Sequence, residues 1–216
     1  MSAIPSWVVV HTGDFGAAVA TEVRRRLPDA DAVHTGALPG LQCPPGGLIL
    51  LATNRPCVDV ELTVDRWAMD QQCFLIPVAL EHPFLRIGPV LGPRAHATLD
   101  CYRRRLHQHH RDREVRRMAE EQYAAEAALQ PQGYLPTLVT LAVSTVLELG
   151  RRLADGVDDE LQQVRLLDVY TLSTRCSRLV GRHGNARSAP VYAEAERSYR
   201  ALLPVVRDVA KMRGAQ

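Results

Sequence analysis

Two hydrophobic regimes succeed one another along this chain. Up to about residue 80, short apolar runs alternate with glycine turns and amphipathic stretches; beyond residue 100 the periods lengthen and become rich in charge. Residues 7–11 predict a first strand, followed by a glycine turn, Thr12-Gly-Asp-Phe-Gly16, and a helix over 17–27. Strand, glycine turn and helix open a βαβ unit. A short second strand is expected at 32–34, and residues 39–47, with three prolines and three glycines, predict a loop. Leu48-Ile-Leu-Leu-Ala-Thr53 has the uninterrupted apolar character of a parallel strand covered on both faces. The pattern over 59–72 predicts a helix with Val60, Val64, Trp67 and Met69 turned inward, and 74–80 the next strand.

His82-Pro83 predicts a turn, and Gly88-Pro89 and Gly92-Pro93 punctuate an extended segment over 85–93. Residues 102–110 start a strongly basic helix, 113–129 a charged one, and 134–154 a long helix apolar enough to be buried. Strands at 165–172 and 175–180 are expected to pair as a hairpin. A loop over 181–190 and an amphipathic helix over 191–213 follow. This order predicts one α/β domain over 1–216: a Rossmann-like half (7–80), a second half (81–190) and a C-terminal helix (191–216), on a largely parallel sheet with flanking helices.

Composition changes this picture little. Basic and acidic residues nearly balance, 26 against 24, so bulk charge argues for neither nucleic acid nor membrane; the seven arginines between 103 and 117 form a local patch. Lys211 is the sole lysine, which leaves little scope for Schiff-base or P-loop chemistry. Five widely spaced cysteines without a CxxC pair, and no signal peptide, predict reduced thiols in the cytoplasm. The apolar stretch 135–149 is interrupted by Pro136, Thr137, Thr140, Ser144, Thr145 and Glu148, against a membrane span.

Candidate chemistry gathers in two places. Thr12, Gly13 and Gly16 lie where a dinucleotide fingerprint would cradle phosphate, but His11 takes the place of its first glycine and His34-Thr35 that of the ribose-binding acid. A tight packing turn is the competing account. The second place is Tyr102, Arg103, Arg104, Arg105, His107, Gln108 and Arg111, a candidate surface for a partner or peptide, since Arg and Tyr are favoured at interfaces. RNA contact by these arginines is the alternative. His107, His109 and His110 beside Cys101 and Asp112 do not complete a metal-ligand pattern, and no nucleophile elbow is present.

Read end to end, the chain resembles the ThiF-like (ubiquitin-activating-enzyme-like) partner proteins of YcaO cyclodehydratases, which make azole-containing ribosomal peptides. The resemblance is carried by VVVHTGDFGAAVA, LILLAT, IPVALEHPFLRIGPVLGPRAHATLDCYRRRLHQH, GYLPTLVTLAVSTVLELGRRL and RLLDVYTLSTRCSRLVGRH, over roughly residues 7–185. It implies a ThiF-like fold and a non-catalytic accessory role in ATP-dependent formation of azolines, with ATP handled by the YcaO subunit. Implied partners are that subunit, a separate leader-binding subunit, an azoline dehydrogenase or the precursor peptide, with self-association into a homodimer. The family's structural zinc needs two cysteine pairs; here Thr98 stands opposite Cys101 and the second pair is missing, so the zinc is expected to be lost. Only six residues precede the first strand, so no leader-binding module is expected in this chain. The alternative reading is a ThiF- or Rossmann-like enzyme that binds ATP or a dinucleotide at Thr12–Gly16.

Overall fold

The computed structural model describes residues 4, 6–37, 42–109, 113–126, 129 and 133–181. The expected helix over 191–213, the loop before it and Arg111 lie outside the described residues. Seven strands form one mixed sheet in the order β2-β1-β3-β4-β5-β6-β7. Strands β1 (Trp7–Thr12), β2 (Asp31–His34), β3 (Leu48–Thr53) and β4 (Phe74–Glu81) are parallel. From β4 the chain turns at His82-Pro83, a cis bond, into antiparallel β5 (Phe84–Ile87). Strands β6 (Gln163–Asp168) and β7 (Thr174–Arg178) continue the alternation, with β7 at the sheet edge.

The apolar run of β3 finds its cause in this arrangement, since all six residues are buried. Leu48, Leu50 and Ala52 join a cluster with Phe15, Val19, Val143 and Val146 on the face covered by α1 (Gly13–Arg26) and α5 (Pro136–Ala154). Ile49 and Leu51 point the other way, to Val64, Ala68 and Leu99 of α2 (Val58–Asp70) and α3 (Leu99–His109). A strand covered on both faces has no polar side to show. Along α5, Leu138, Val139, Ala142, Val143, Val146, Leu149 and Leu153 recur at helical spacing on the buried face, and Pro136 opens the helix. None of the described helices is long and apolar enough to cross a membrane.

Three local expectations are corrected. Helix α1 begins at Gly13 rather than at residue 17, so the glycine turn is the first turn of the helix itself. On α2 only Val64 of the expected inward set is fully buried; Glu61, Asp65 and Ala68 accompany it, while Val60 and Trp67 pack at the margin. The reason is polar: the carboxylates of Glu61 and Asp65 serve buried donors described below. Strand β6 stops at Asp168 because its carboxylate accepts the N–H groups of Tyr170 (2.9 Å) and Thr171 (3.0 Å), turning the chain back into β7. Those bonds, first that from Thr171, hold the Asp168 carboxyl below its usual range.

Candidate functional site

The chain leaves β1 toward β2 on one side and reaches β3 on the other, so a topological switch point falls at the carboxyl ends of β1 and β3, where open α/β sheets take ligands. Gly13, at φ +69°, has the backbone conformation that favours glycine. A Cβ on it would lie 2.3 Å from Cγ of Asn54, and one on Gly16 would lie 2.4 Å from the carbonyl oxygen of Ala52. Both glycines are therefore accounted for by close packing of helix against strand. Thr12 precedes the helix in extended conformation and makes no side-chain cap bond. His34 ends β2, its Nδ1 accepts the N–H of Gly36 (3.2 Å), and its ring meets His11 edge-on at 5.8 Å. Burial, and then His34, lower the pKa of His11 from 6.5. A cleft of about 530 Å³ opens beside it, lined by His11, Ala17, Thr21, Arg24 and Pro28.

The basic helix α3 is held by groups that sequence reasoning missed. Arg86 on β5 is fully buried, its guanidinium donating to Glu61 of α2 (2.5 Å), Glu81 of β4 (2.7 Å) and the carbonyl of Gly88 (2.7 Å). Its Cζ lies 5.1 Å from the ring centroid of Tyr102, so the first aromatic of α3 rests on a desolvated cation. The two carboxylates push the pKa of Arg86 up against the effect of burial, whereas burial outweighs the arginine at Glu61 and raises its pKa above 4.5. Two carboxylates facing one buried guanidinium leave the burial cost of one of them uncompensated. The largely apolar strand FLRI carries one usable signal: an arginine inside a buried strand requires a carboxylate partner from another element.

At the start of α3, Asp65 accepts the N–H of Leu99 (2.8 Å) and Thr98 Oγ1 that of Cys101 (3.2 Å), so Thr98 is the helix N-cap. The Thr98 hydroxyl also lies 3.3 Å from the sulfur of buried Cys101. A capping threonine thus occupies the position opposite Cys101. Among the described residues no group of three His, Cys, Asp or Glu side chains could hold a metal.

The predicted partner residues divide by face. Tyr102, Arg103 and His107 are half-buried: Arg103 and His107 both reach Glu120 of α4 (Arg113–Ala125), at 3.2 and 3.3 Å. Arg104, Arg105 and Gln108 are exposed. Arg104 pairs with Asp100 one turn back (2.7 Å), and Arg105 donates to the carbonyl of Val180 (2.9 Å). The first set fastens α3 to the molecule and the second is displayed from it.

No family model matches the sequence, and no curated protein matches it with significance. Solved structures match in fold alone. A chain of the E. coli microcin synthetase McbBCD complex superposes with a TM-score of 0.63 at 10% identity, covering 86% of this chain and 69% of that one. E. coli MccB with selenomethionine MccA gives 0.53 at 7% identity, covering 86% and 67%. The heterocyclase TruD gives 0.57 at 16% identity, covering 82% of this chain but 26% of its own length, so the chain spans about a quarter of that protein. The described residues thus form a mixed α/β fold shared with chains of the microcin synthetase complex, MccB and the heterocyclase TruD.

Proposed function

We propose that this chain is a non-catalytic subunit of a complex that forms azolines on a ribosomal peptide, and that it helps to assemble a YcaO-type cyclodehydratase with its substrate. The reading is supported chiefly by the fold shared with a chain of the microcin synthetase complex over 86% of this chain. It draws further support from α3, where Arg86 and Glu120 anchor one face and leave Arg104 and Gln108 for a partner. The switch point fits a role without chemistry, because the glycines that would admit phosphate are packed against Asn54 and Ala52. The test is the mass of a precursor peptide incubated with the YcaO subunit and ATP, with and without this protein. Successive losses of water that depend on it are expected. Complete dehydration in its absence contradicts the reading.

A nucleotide-binding enzyme is the second reading, favoured by the cleft that runs from His11 at the end of β1 along α1 to Arg24 and Pro28. It requires saturable binding of ATP or a dinucleotide, abolished by Gly13→Asp. No binding at millimolar ligand removes it.

A further inference from the structure

The sheet ends at β7, and every residue of that strand is exposed among the described residues. A strand with one unpaired backbone edge is a template for another strand. Beside it, between α3 and the β6–β7 hairpin, lies a groove of about 260 Å³ whose floor is apolar, formed by Leu106, Val164, Leu166 and Leu179. Arg105 stands on the helical side of this groove and Arg178 at the end of β7. Among the described residues Arg105 donates to the carbonyl of Val180, and neither arginine has an acidic partner there. Among the described residues, Arg55 and Arg66 likewise donate to carbonyls, whereas Arg25, Arg26, Arg86, Arg94, Arg103, Arg104, Arg117, Arg151, Arg152 and Arg165 meet carboxylates. Unpaired cations flanking an apolar floor beside an open strand edge complement one kind of ligand.

We propose that β7 and this groove bind an extended acidic segment of a partner polypeptide, which joins the sheet as an eighth strand. Main-chain hydrogen bonds to β7 supply the pairing. Successive side chains of the segment alternate between the two faces of the sheet: apolar ones fall on the groove face, that of Val164 and Leu166, and carboxylates on the opposite face, where the register places Arg178 beside Gln163. The five residues of β7 set a pairing length of about 17 Å, at roughly 3.3 Å per residue. The inference deepens the assembly role and depends on it only for the identity of the partner.

Two fluorescent peptides test it against the full chain alone: an alternating valine–glutamate peptide and its valine–lysine counterpart. The glutamate peptide is expected to bind at least about tenfold more tightly, with affinity falling as salt rises. N-methylation of alternate amides should abolish its binding, because a methylated edge cannot pair. Arg178→Glu, and Arg105→Glu with Arg178→Glu, should weaken binding by about tenfold or more while leaving the thermal unfolding midpoint unchanged, both side chains being exposed. Equal affinity for both peptides, indifference to N-methylation or to charge reversal, or no binding at millimolar peptide overturns the proposal. So does self-association of the chain that Arg178→Glu abolishes without any peptide binding, which assigns the groove to a second copy. Since no synthetase is present, failure here leaves the dehydration assay free to stand or fall separately.

Discussion

The two halves of the sheet solve the same problem, covering a sheet face, with different materials. Over β1, β3 and β4 the cover is apolar: helices α1 and α5 close one face with Phe15, Val19, Val143 and Val146, and glycines bring helix against strand. On β5 the same apolar cluster takes Leu85 and Ile87 on one face, but on the other the organising group is a charge, Arg86, that joins β4, β5, α2 and α3 through Glu81, Glu61 and Tyr102. The first half displays little. Among the described residues each half ends in an edge strand, β2 or β7, but the second also carries the basic helix, and it is the half where function is proposed. A buried ion network is a costly way to hold a helix, because each charge must leave water to join it.

The largest effect that separates the halves should come from Arg86→Met. Removing the guanidinium leaves Glu61 and Glu81 buried without their cation, and denaturant unfolding should show a loss of about 3–5 kcal/mol. Adding Glu61→Gln should restore part of it, because one of the two stranded charges is gone. A loss no larger than that of an ordinary surface substitution removes Arg86 as the organiser. In the apolar half, Gly16→Ala places a methyl group 2.4 Å from a backbone oxygen, and about 1–3 kcal/mol should be lost through forced movement of α1 from β3. Thr98→Ala removes the α3 cap at a cost of about 1 kcal/mol, against nearly nothing for Thr98→Asn, which can cap equally well.

Acidity sharpens the contrast, because the two halves respond in opposite directions. Glu61 has its folded pKa raised above 4.5, so its contribution to stability is complete below that value and is lost as pH rises through the folded pKa. His11 has its folded pKa lowered below 6.5, so its contribution is present above 6.5 and is lost as pH falls through the folded pKa. Unfolding curves over pH should therefore show Glu61→Gln flattening a decline on the rising side of 4.5 and His11→Gln a smaller decline on the falling side of 6.5. Unchanged profiles for both variants contradict the assignments.

Much of the parallel half was legible in the sequence. A strand such as LILLAT declares its burial by having no polar position, and the period of α5 declares its inner face. The hairpin of β6 and β7 was legible as well, although Asp168 ends the first strand sooner than alternation alone suggests. What escaped was pairing at a distance: Arg86 finds its carboxylate 25 residues earlier on another element, and periodicity carries no information about such partners. The same limit applied to α3. Its composition marked the whole run from Tyr102 as a surface, yet Glu120 and Arg86 claim Tyr102, Arg103 and His107 for the interior side. Only a partner seen across space divides that helix into anchor and display.

The central claim is that the outward residues of α3 recruit a synthetase subunit while the inward ones merely hold the helix. Calorimetric titration of a YcaO-type subunit into the wild-type chain and into Arg104→Glu with Gln108→Glu tests it most directly. Binding by the wild type, weakened by about tenfold or more in a variant that unfolds at the same temperature, is the result the account predicts. Equal affinity in the two proteins would contradict it.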